Sequence, residues 1–406
     1  MPPTFPISGR LDKWWGGPPG RLFERGNHLI LREKRGSRGT RADQGVRPTI
    51  SCGFGGFGKV CGIGLEARST GDKMSERYST PQSTAALLCL AAAGLLAAPE
   101  TIKPGDVWPD DRGQHVQAHG GGIIKLGDTY YWFGEDRTQG LDPSRRYVAC
   151  YSSKDLAHWS FRNQVMKQAD PGDLGPRFVL ERPKVFYNAK TKKYVMYMHI
   201  DDARYALARV GVAVSDTVDG DYTYLRSFRP LGQESRDIGQ FIDDDGAAYL
   251  IFEDRPAKGF HIAKLSDDYL NVEKDVCLIK APLEGGAVVH YKGLYYAVGS
   301  ALTGWDPNPN KYATAKSLEG PWSEFQDIAP PEAKTYGSQS TMLLKVAGSK
   351  TTTVIFMGDI WKPRAQWDSR YLWMPVEIGD GKLRLPEPKE FTIDAATGET
   401  AVKADR

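Results

Sequence analysis

One theme recurs five times from about Pro104 onward: an apolar stretch, a turn, and a second stretch dense in aromatic residues. The second stretches read "GDTYYWFGE" from Gly127, "TKKYVMYMH" from Thr191, "DGAAYLIFE" from Asp245, "KGLYYAVGS" from Lys292 and "SKTTTVIFMGD" from Ser349. The apolar stretches before the turns are "GGGIIKL", "PKVFYN", "GQFIDD", "GAVVHY" and "STMLLKV". Asp-Gly or Lys-Gly ahead of a run rich in Tyr, Val and Phe is a hairpin signal. A further element follows each pair, as in "YVACYSSKDLAHWSF" and "KYATAKSLEGPWSEF"; the fifth, "YLWMPVEIGDGKLRL", fits less well. Each unit therefore carries about four strands and recurs roughly every 45–65 residues, the range of propellers and arrays. Long amphipathic helical patterns are not evident. The expected fold is all-β, a five-bladed β-propeller over residues 100–395, because a ring of such units leaves only short, protected edges. Five matched units disfavour an ordinary sandwich.

The region before the repeats has a different character. Residues 1–73 include "REKRGSRGTR" and "SCGFGGFGKVCGIG", rich in Gly and Arg without strand or helix period. We read them as a basic leader, disordered or untranslated. Met74 then opens a polar start, an apolar run from Ala85 to Ala98 and a small-residue end, the layout of a secretory signal peptide over 74–99. The run is too short for a comfortable membrane span. The expected product is secreted, extracellular or periplasmic, without a membrane anchor. The net charge of +3 arises in the leader, so nothing in the repeats marks a nucleic-acid surface. Of five cysteines, Cys150 and Cys277 fall in the repeats, where a disulfide and two free thiols are both compatible with the sequence. No zinc pattern appears, and neither a metal nor another cofactor is expected. "DDDG" at Asp243 reads as a hairpin turn rather than a calcium loop. The tail 396–406 is polar and expected to fray. The chain is expected to act as a monomer.

In a propeller the first strand of each unit lines the central channel, so polar residues at those entrances converge. The five entrances are "QAHGGGI" with His119, "LERPKVFYN" with Glu181 and Arg182, "SRDIGQFIDDDG" with Asp237 and Gln240, "PLEGGAVV" with Glu284, and "YGSQSTMLL" with Gln339. Each alone reads as well as a structural polar residue; their shared place in the repeat favours a site. Carboxylates across a funnel suit glycosidic cleavage, in which one acid of raised pKa protonates the leaving oxygen. In the inverting form the other group activates water across a gap of about 6.5–9.5 Å.

"RDIGQFIDDDGAAYL" and "LEGGAVVHYKGLYYAVGS" resemble glycoside hydrolase family 43, whose members are five-bladed propellers that cleave with inversion. The likeness spans about Pro104 to Ile393. It implies Glu284 as general acid and Asp237 as the residue that tunes it. The family's common base, an Asp-Pro before the first strand, is replaced here by "AHGGG". With "ERPKVFYN", "HIDDARYALARVGVAVSD" and "YGSQST", that gap is similar to the exo-β-1,3-galactanase branch. The branch implies Glu181 and Gln339 near the attacking water, Gln339 as amide or imidic acid. A neutral amide is a poor proton acceptor, so the chemistry of the side chains favours Glu181 and the resemblance Gln339; both stay open. Around the sugar we place Glu135, Tyr205, Gln240, His119 and Arg182, with Trp305 of "ALTGWDP" as a stacking face. The implied activity is release of galactose from β-1,3-galactan such as that of arabinogalactan. The rival readings are an arabinofuranosidase or xylosidase of the same family and a propeller that binds carbohydrate without cleaving it.

Overall fold

The computed structural model describes residues 100–169 and 172–404. The leader and signal-peptide readings lie outside the described residues. Each repeat folds as a sheet in which successive strands pair antiparallel. After a short β1 (Thr101–Ile102), the first sheet holds β2 (His119–Leu126), β3 (Thr129–Glu135), β4 (Tyr147–Ser153) and β5 (Ser160–Lys167). The second holds β6 (Val179–Asn188), β7 (Lys193–Asp201), β8 (Arg209–Ser215) and β9 (Thr223–Phe228). The third holds β10 (Ile238–Ile242), β11 (Ala248–Asp254), β12 (Gly259–Leu265) and β13 (Val272–Ile279). The fourth holds β14 (Leu283–Tyr291), β15 (Leu294–Ala301), β16 (Lys311–Ala315) and β17 (Gln326–Asp327).

The fifth sheet has three strands, β18 (Gln339–Ala347), β19 (Thr352–Ile360) and β20 (Arg370–Pro375). The looser fifth repeat accounts for this. Past Pro375 the chain leaves the sheet and makes a separate hairpin, β21 (Glu377–Gly379) with β22 (Lys382–Arg384). Then β23 (Phe391–Ile393) pairs with β1 on one side and with β24 (Thr400–Val402) on the other, which ties the two ends of the described domain together. The polar tail expected to fray thus contributes a strand. Asp243 to Ala247 form the tight turn between β10 and β11, closed by the Asp243 and Gly246 backbone bonds. Among the described residues there is no α-helix, and none long and apolar enough to cross a membrane.

Strands form here because apolar side chains alternate between the two faces and both faces are covered by neighbouring sheets. Phe133 and Val148 of the first sheet pack with Met196 and Met198 of the second. Phe186 and Tyr197 of the second meet Ile238 and Phe252 of the third. Ile251 and Phe260 of the third meet Val288 and Ala297 of the fourth. One larger core joins Val289 and Tyr296 of the fourth, Phe356 and Trp373 of the fifth, and Trp132 and Trp159 of the first. The Trp132 and Trp373 rings lie 4.8 Å apart, and each such aromatic pair contributes about 0.5–1.5 kcal/mol beyond its buried area. The first strands also touch in cyclic order: β2 meets β6, β6 meets β10, β10 meets β14, β14 meets β18, and β18 meets β2. Cys150 and Cys277 are free thiols.

Candidate active site

The five first strands present their opening residues at one common register. Opposite His119 stands Glu135, opposite Glu181 stands His199, opposite Glu284 stands Ser300, and opposite Gln339 stands Asp359. Asp237 precedes β10, and its carbonyl accepts the Glu253 N–H. In four of these strands the ladder slips just beyond: between His119 and Gly122, Glu181 and Lys184, Glu284 and Ala287, and Ser340 and Met342. A bulge bends the strand and re-aims its side chains, here at the entrance of each sheet. Two of the bulges need glycine. Gly120 (φ 57°) and Gly285 (φ 62°) are left-handed, and a Cβ would stand 2.8 Å from Glu135 Oε1 at the first and 2.7 Å from the Ser340 carbonyl at the second.

Arg182 adopts the same left-handed backbone (φ 50°) without being glycine, a conformation that persists only where surrounding contacts enforce it. Four contacts do so. Its N–H donates to Glu135 Oε1 (3.0 Å), its Nη2 to Gln339 Oε1 (2.6 Å), its Nη1 to the Ser340 carbonyl (3.2 Å), and its Nε lies 2.7 Å from Asp237 Oδ2. One buried arginine of the second sheet therefore joins the first through its backbone N–H, and the third and fifth through its guanidinium. Lys184, two residues on, is wholly buried and pins the first bulge, donating to the Gly120 and Gly121 carbonyls at 2.5 and 2.7 Å. Burial, with Arg182 adding repulsion, drives its pKa down to about 7.

Gln339 is fixed in orientation by its neighbours. Its Oε1 accepts from Arg182 and from Trp361 Nε1 (2.9 Å), and its Nε2 donates to Glu284 Oε1 (3.0 Å). Neither donor to the oxygen gives up its proton at ordinary pH, so this pattern selects the amide form with its NH₂ toward Glu284. The other Glu284 oxygen faces Arg255 Nη2 at 3.5 Å. Burial pushes the Glu284 pKa well above the ordinary carboxyl range, and the Asp237 and Glu253 charges add to it against the opposing pull of Arg182 and Arg255. Glu284 thus keeps its proton to higher pH than an ordinary glutamate does.

Glu181 has a different setting. Burial would raise its pKa too, but His199, Arg137 and the Tyr205 hydroxyl outweigh burial and hold it below the ordinary value. Tyr205 donates to Glu181 Oε1 at 3.0 Å, His199 Nδ1 lies 3.4 Å from Oε2, and Arg137 Nη2 lies 4.0 Å from Oε1. Arg137 also pairs closely with Glu135, whose own pKa is raised by burial against the pull of that arginine.

Seven of the expected residues are therefore linked: Glu284, Gln339, Arg182, Asp237, Glu135, Glu181 and Tyr205. Three stand elsewhere. His119 is wholly buried, bonded to Asp359 Oδ1 (3.1 Å) and stacked on Tyr371, so it forms the wall behind the cluster rather than a sugar contact. Trp305 is 40% exposed, edge-on to Trp361 with ring centres 5.1 Å apart. Gln240 lies farther down β10, donates to the Ile123 carbonyl (3.0 Å), and lines a cavity of about 410 Å³ toward the opposite ends of the first strands, with Phe241, Val288 and Met342. It is not part of the linked cluster. An in-line position in the repeat did not ensure convergence, because successive strand residues face opposite ways and Gln240 sits three beyond Asp237.

Sequence reasoning missed Arg137, His199, Glu253, Asp359 and Trp361. A signal for most of them was present. The five aromatic stretches end on Glu135, His199, Glu253, Ser300 and Asp359, so the polar residue at or near the end of each second strand stands across from the entrance residue.

Comparison with known proteins agrees with this geometry. Residues 118–354 match the family described as Glycosyl hydrolases family 43. Among solved structures, an exo-β-1,3-galactanase from Phanerochaete chrysosporium with bound β-1,3-galactotriose is 38% identical at a TM-score of 0.71, covering 75% of this chain and 71% of that one. An exo-β-1,3-galactanase from Clostridium thermocellum is 37% identical at a TM-score of 0.70, covering 75% of this chain and 68% of that one. A putative exo-β-1,3-galactanase from Bifidobacterium bifidum s17 is 38% identical at a TM-score of 0.66, covering 70% of this chain and 97% of that one. Among curated proteins no sequence matches. The match covers more than half of the chain, and a buried glutamate of raised pKa stands among charged partners: the chain belongs to glycosyl hydrolase family 43 and is a glycoside hydrolase.

Proposed function

We propose that the protein is an inverting exo-β-1,3-galactanase that releases galactose from β-1,3-galactan, as in the backbone of arabinogalactan. The observation that carries this reading is two glutamates at one register in opposite settings: Glu284 beside Gln339 with its pKa raised, Glu181 beside His199 and Tyr205 with its pKa lowered. Glu284 acts as general acid and delivers its proton to the glycosidic oxygen. Asp237 tunes it, since its charge opposes ionisation of Glu284. Glu181 takes the proton from the attacking water. Gln339 holds the acid by donating to it and orders the water's surroundings as an amide. Glu135, Tyr205 and Arg182 shape the sugar pocket, and Trp305 offers a stacking face at the exposed rim. The similarity to galactanases at 37–39% identity supports the substrate class.

The same reading takes the five sheets as the blades of a five-bladed β-propeller, supported by the cyclic contacts of the first strands. It also takes residues 74–99 as a signal peptide, the mature chain as secreted and monomeric, and residues 1–73 as no part of the catalytic domain. The test is product analysis on β-1,3-galactan beside aryl arabinofuranoside and xyloside, with proton NMR of the anomer first released. Galactose appearing as the α-anomer is expected. Arabinose or xylose release without galactose overturns the substrate, and β-galactose overturns inversion.

A further inference from the structure

We propose that His199, oriented by Asp201, is the positioning residue that presents the Glu181 carboxylate to the cleft for proton acceptance. The inference rests on the reading of Glu181 as the group that takes the water's proton. It begins with strand geometry. His199 and Asp201 lie two apart on β7 and so project from one face, while His199 is the cross-strand partner of Glu181. The side chains form a line from the backbone N–H groups of Asp202 and Leu207 to Glu181. Asp201 Oδ1 accepts the Asp202 and Leu207 N–H groups at 2.9 and 2.8 Å, and its Oδ2 lies 3.0 Å from His199 Nε2. The far ring nitrogen, Nδ1, points at Glu181 Oε2 from 3.4 Å and has no other partner.

The ring is fully buried. Burial alone would drive it neutral, but Asp201 and Glu181 outweigh burial and lift its pKa to about 9. Both nitrogens then carry protons, so the ring has one hydrogen bond in place and a second N–H free to draw in the carboxylate. The other groups facing this pair are Glu135 and Arg137 at the end of β3, Arg146 before β4, Tyr205 from the loop after β7, and Asp237 before β10; Arg146, like Arg137, acts on Glu135 as well. Arg137 is shared with Glu135, so His199 is the cation held by Glu181 without competition from a neighbouring glutamate.

A proton acceptor must be ionised when substrate binds and aimed with a free lone pair. Replacing His199 by glutamine keeps a donor and removes the charge. The experiment titrates Glu181 by ¹³C-carboxyl NMR in the full chain labelled at glutamate, with the signal assigned by its loss in Glu181→Gln. In wild type the midpoint is expected below 4.5, the ordinary value. In His199→Gln it rises by about one unit, and the acid limb of kcat/KM moves up with it, about a tenfold loss on the acid side that recovers as pH rises. Asp201→Asn shifts both in the same direction by less, and serves also if His199→Gln does not fold. A folded His199→Gln with an unchanged Glu181 midpoint overturns the proposal, as does a loss of kcat/KM uniform across pH, which marks a merely structural residue. If the midpoint moves while the acid limb stays, the assignment of Glu181 as proton acceptor fails and its positioning by His199 stands.

Discussion

Glu284 and Glu181 occupy equivalent places in two sheets. Each opens a first strand, each precedes a bulge, and each is largely shielded from water. Yet the pKa of one is raised and that of the other lowered. The backbone does not distinguish them; their partners do. Opposite Glu284 stands Ser300, which brings no charge, and the carboxylates of Asp237 and Glu253 add to the effect of burial against Arg182 and Arg255. Opposite Glu181 stands His199, and Arg137 flanks it. Burial opposes charge on both, and the neighbouring groups reinforce it at Glu284 and overcome it at Glu181, which is how a pseudo-symmetric scaffold can separate two like carboxyls.

Four substitutions put this contrast to the test. Glu284→Gln removes the only proton the proposed mechanism donates, so kcat on galactan is expected to fall about 10²–10⁴-fold. Sugar binding, read by calorimetry, should survive. A variant that retains full turnover would erase the contrast altogether.

Asp237→Asn should act on both stability and pH dependence. It leaves the buried Arg182 without its carboxylate at 2.7 Å, and removing one partner of a buried ion pair costs about 3–5 kcal/mol, measurable by urea unfolding. It also removes a charge that keeps Glu284 protonated. Activity needs the protonated form and is lost as pH rises through the raised Glu284 pKa, so the basic limb of kcat/KM should move to lower pH. A basic limb that stays in place would mean that burial alone sets the acid.

Trp361→Phe keeps the ring and deletes one donor to Gln339 Oε1. A net hydrogen bond contributes about 0.5–1.5 kcal/mol, so a fall in kcat of about 2- to 13-fold is expected, without a large change in KM. The opposite split, KM rising alone, would place Trp361 in ground-state binding instead. Trp305→Ala should have the smallest effect, a rise in KM of about 2- to 5-fold from a lost exposed stacking face, with kcat unchanged.

The strand repeat was legible because its signals are local. Alternation between the two faces and Gly-bearing turns are properties of adjacent residues, and each of the five aromatic stretches folds as a second strand, β3, β7, β11, β15 and β19. Glu284, Gln339, Glu181 and Asp237 were found for the same reason, since position within the repeat marks the strand entrance. The placement of Gln240 was not legible, because which way a residue faces depends on the register of its strand. His119 carried a polar side chain at the right place and is nonetheless buried against Asp359 and Tyr371, partners about 240 and 252 residues away in the chain. The short fifth sheet and the paired tail likewise depend on where the two ends of the domain meet.

By itself the amino-acid sequence determined an all-β chain of five strand-turn-strand units and the polar residue at each entrance, because hydrophobic alternation and turn chemistry act over a few neighbouring residues. Tertiary packing set the direction in which the pKa values of Glu284 and Glu181 move. That direction depends on burial and on charges delivered from other sheets over a few ångströms, and Coulomb energies at such distances in a low-dielectric interior outweigh anything a residue's own type fixes.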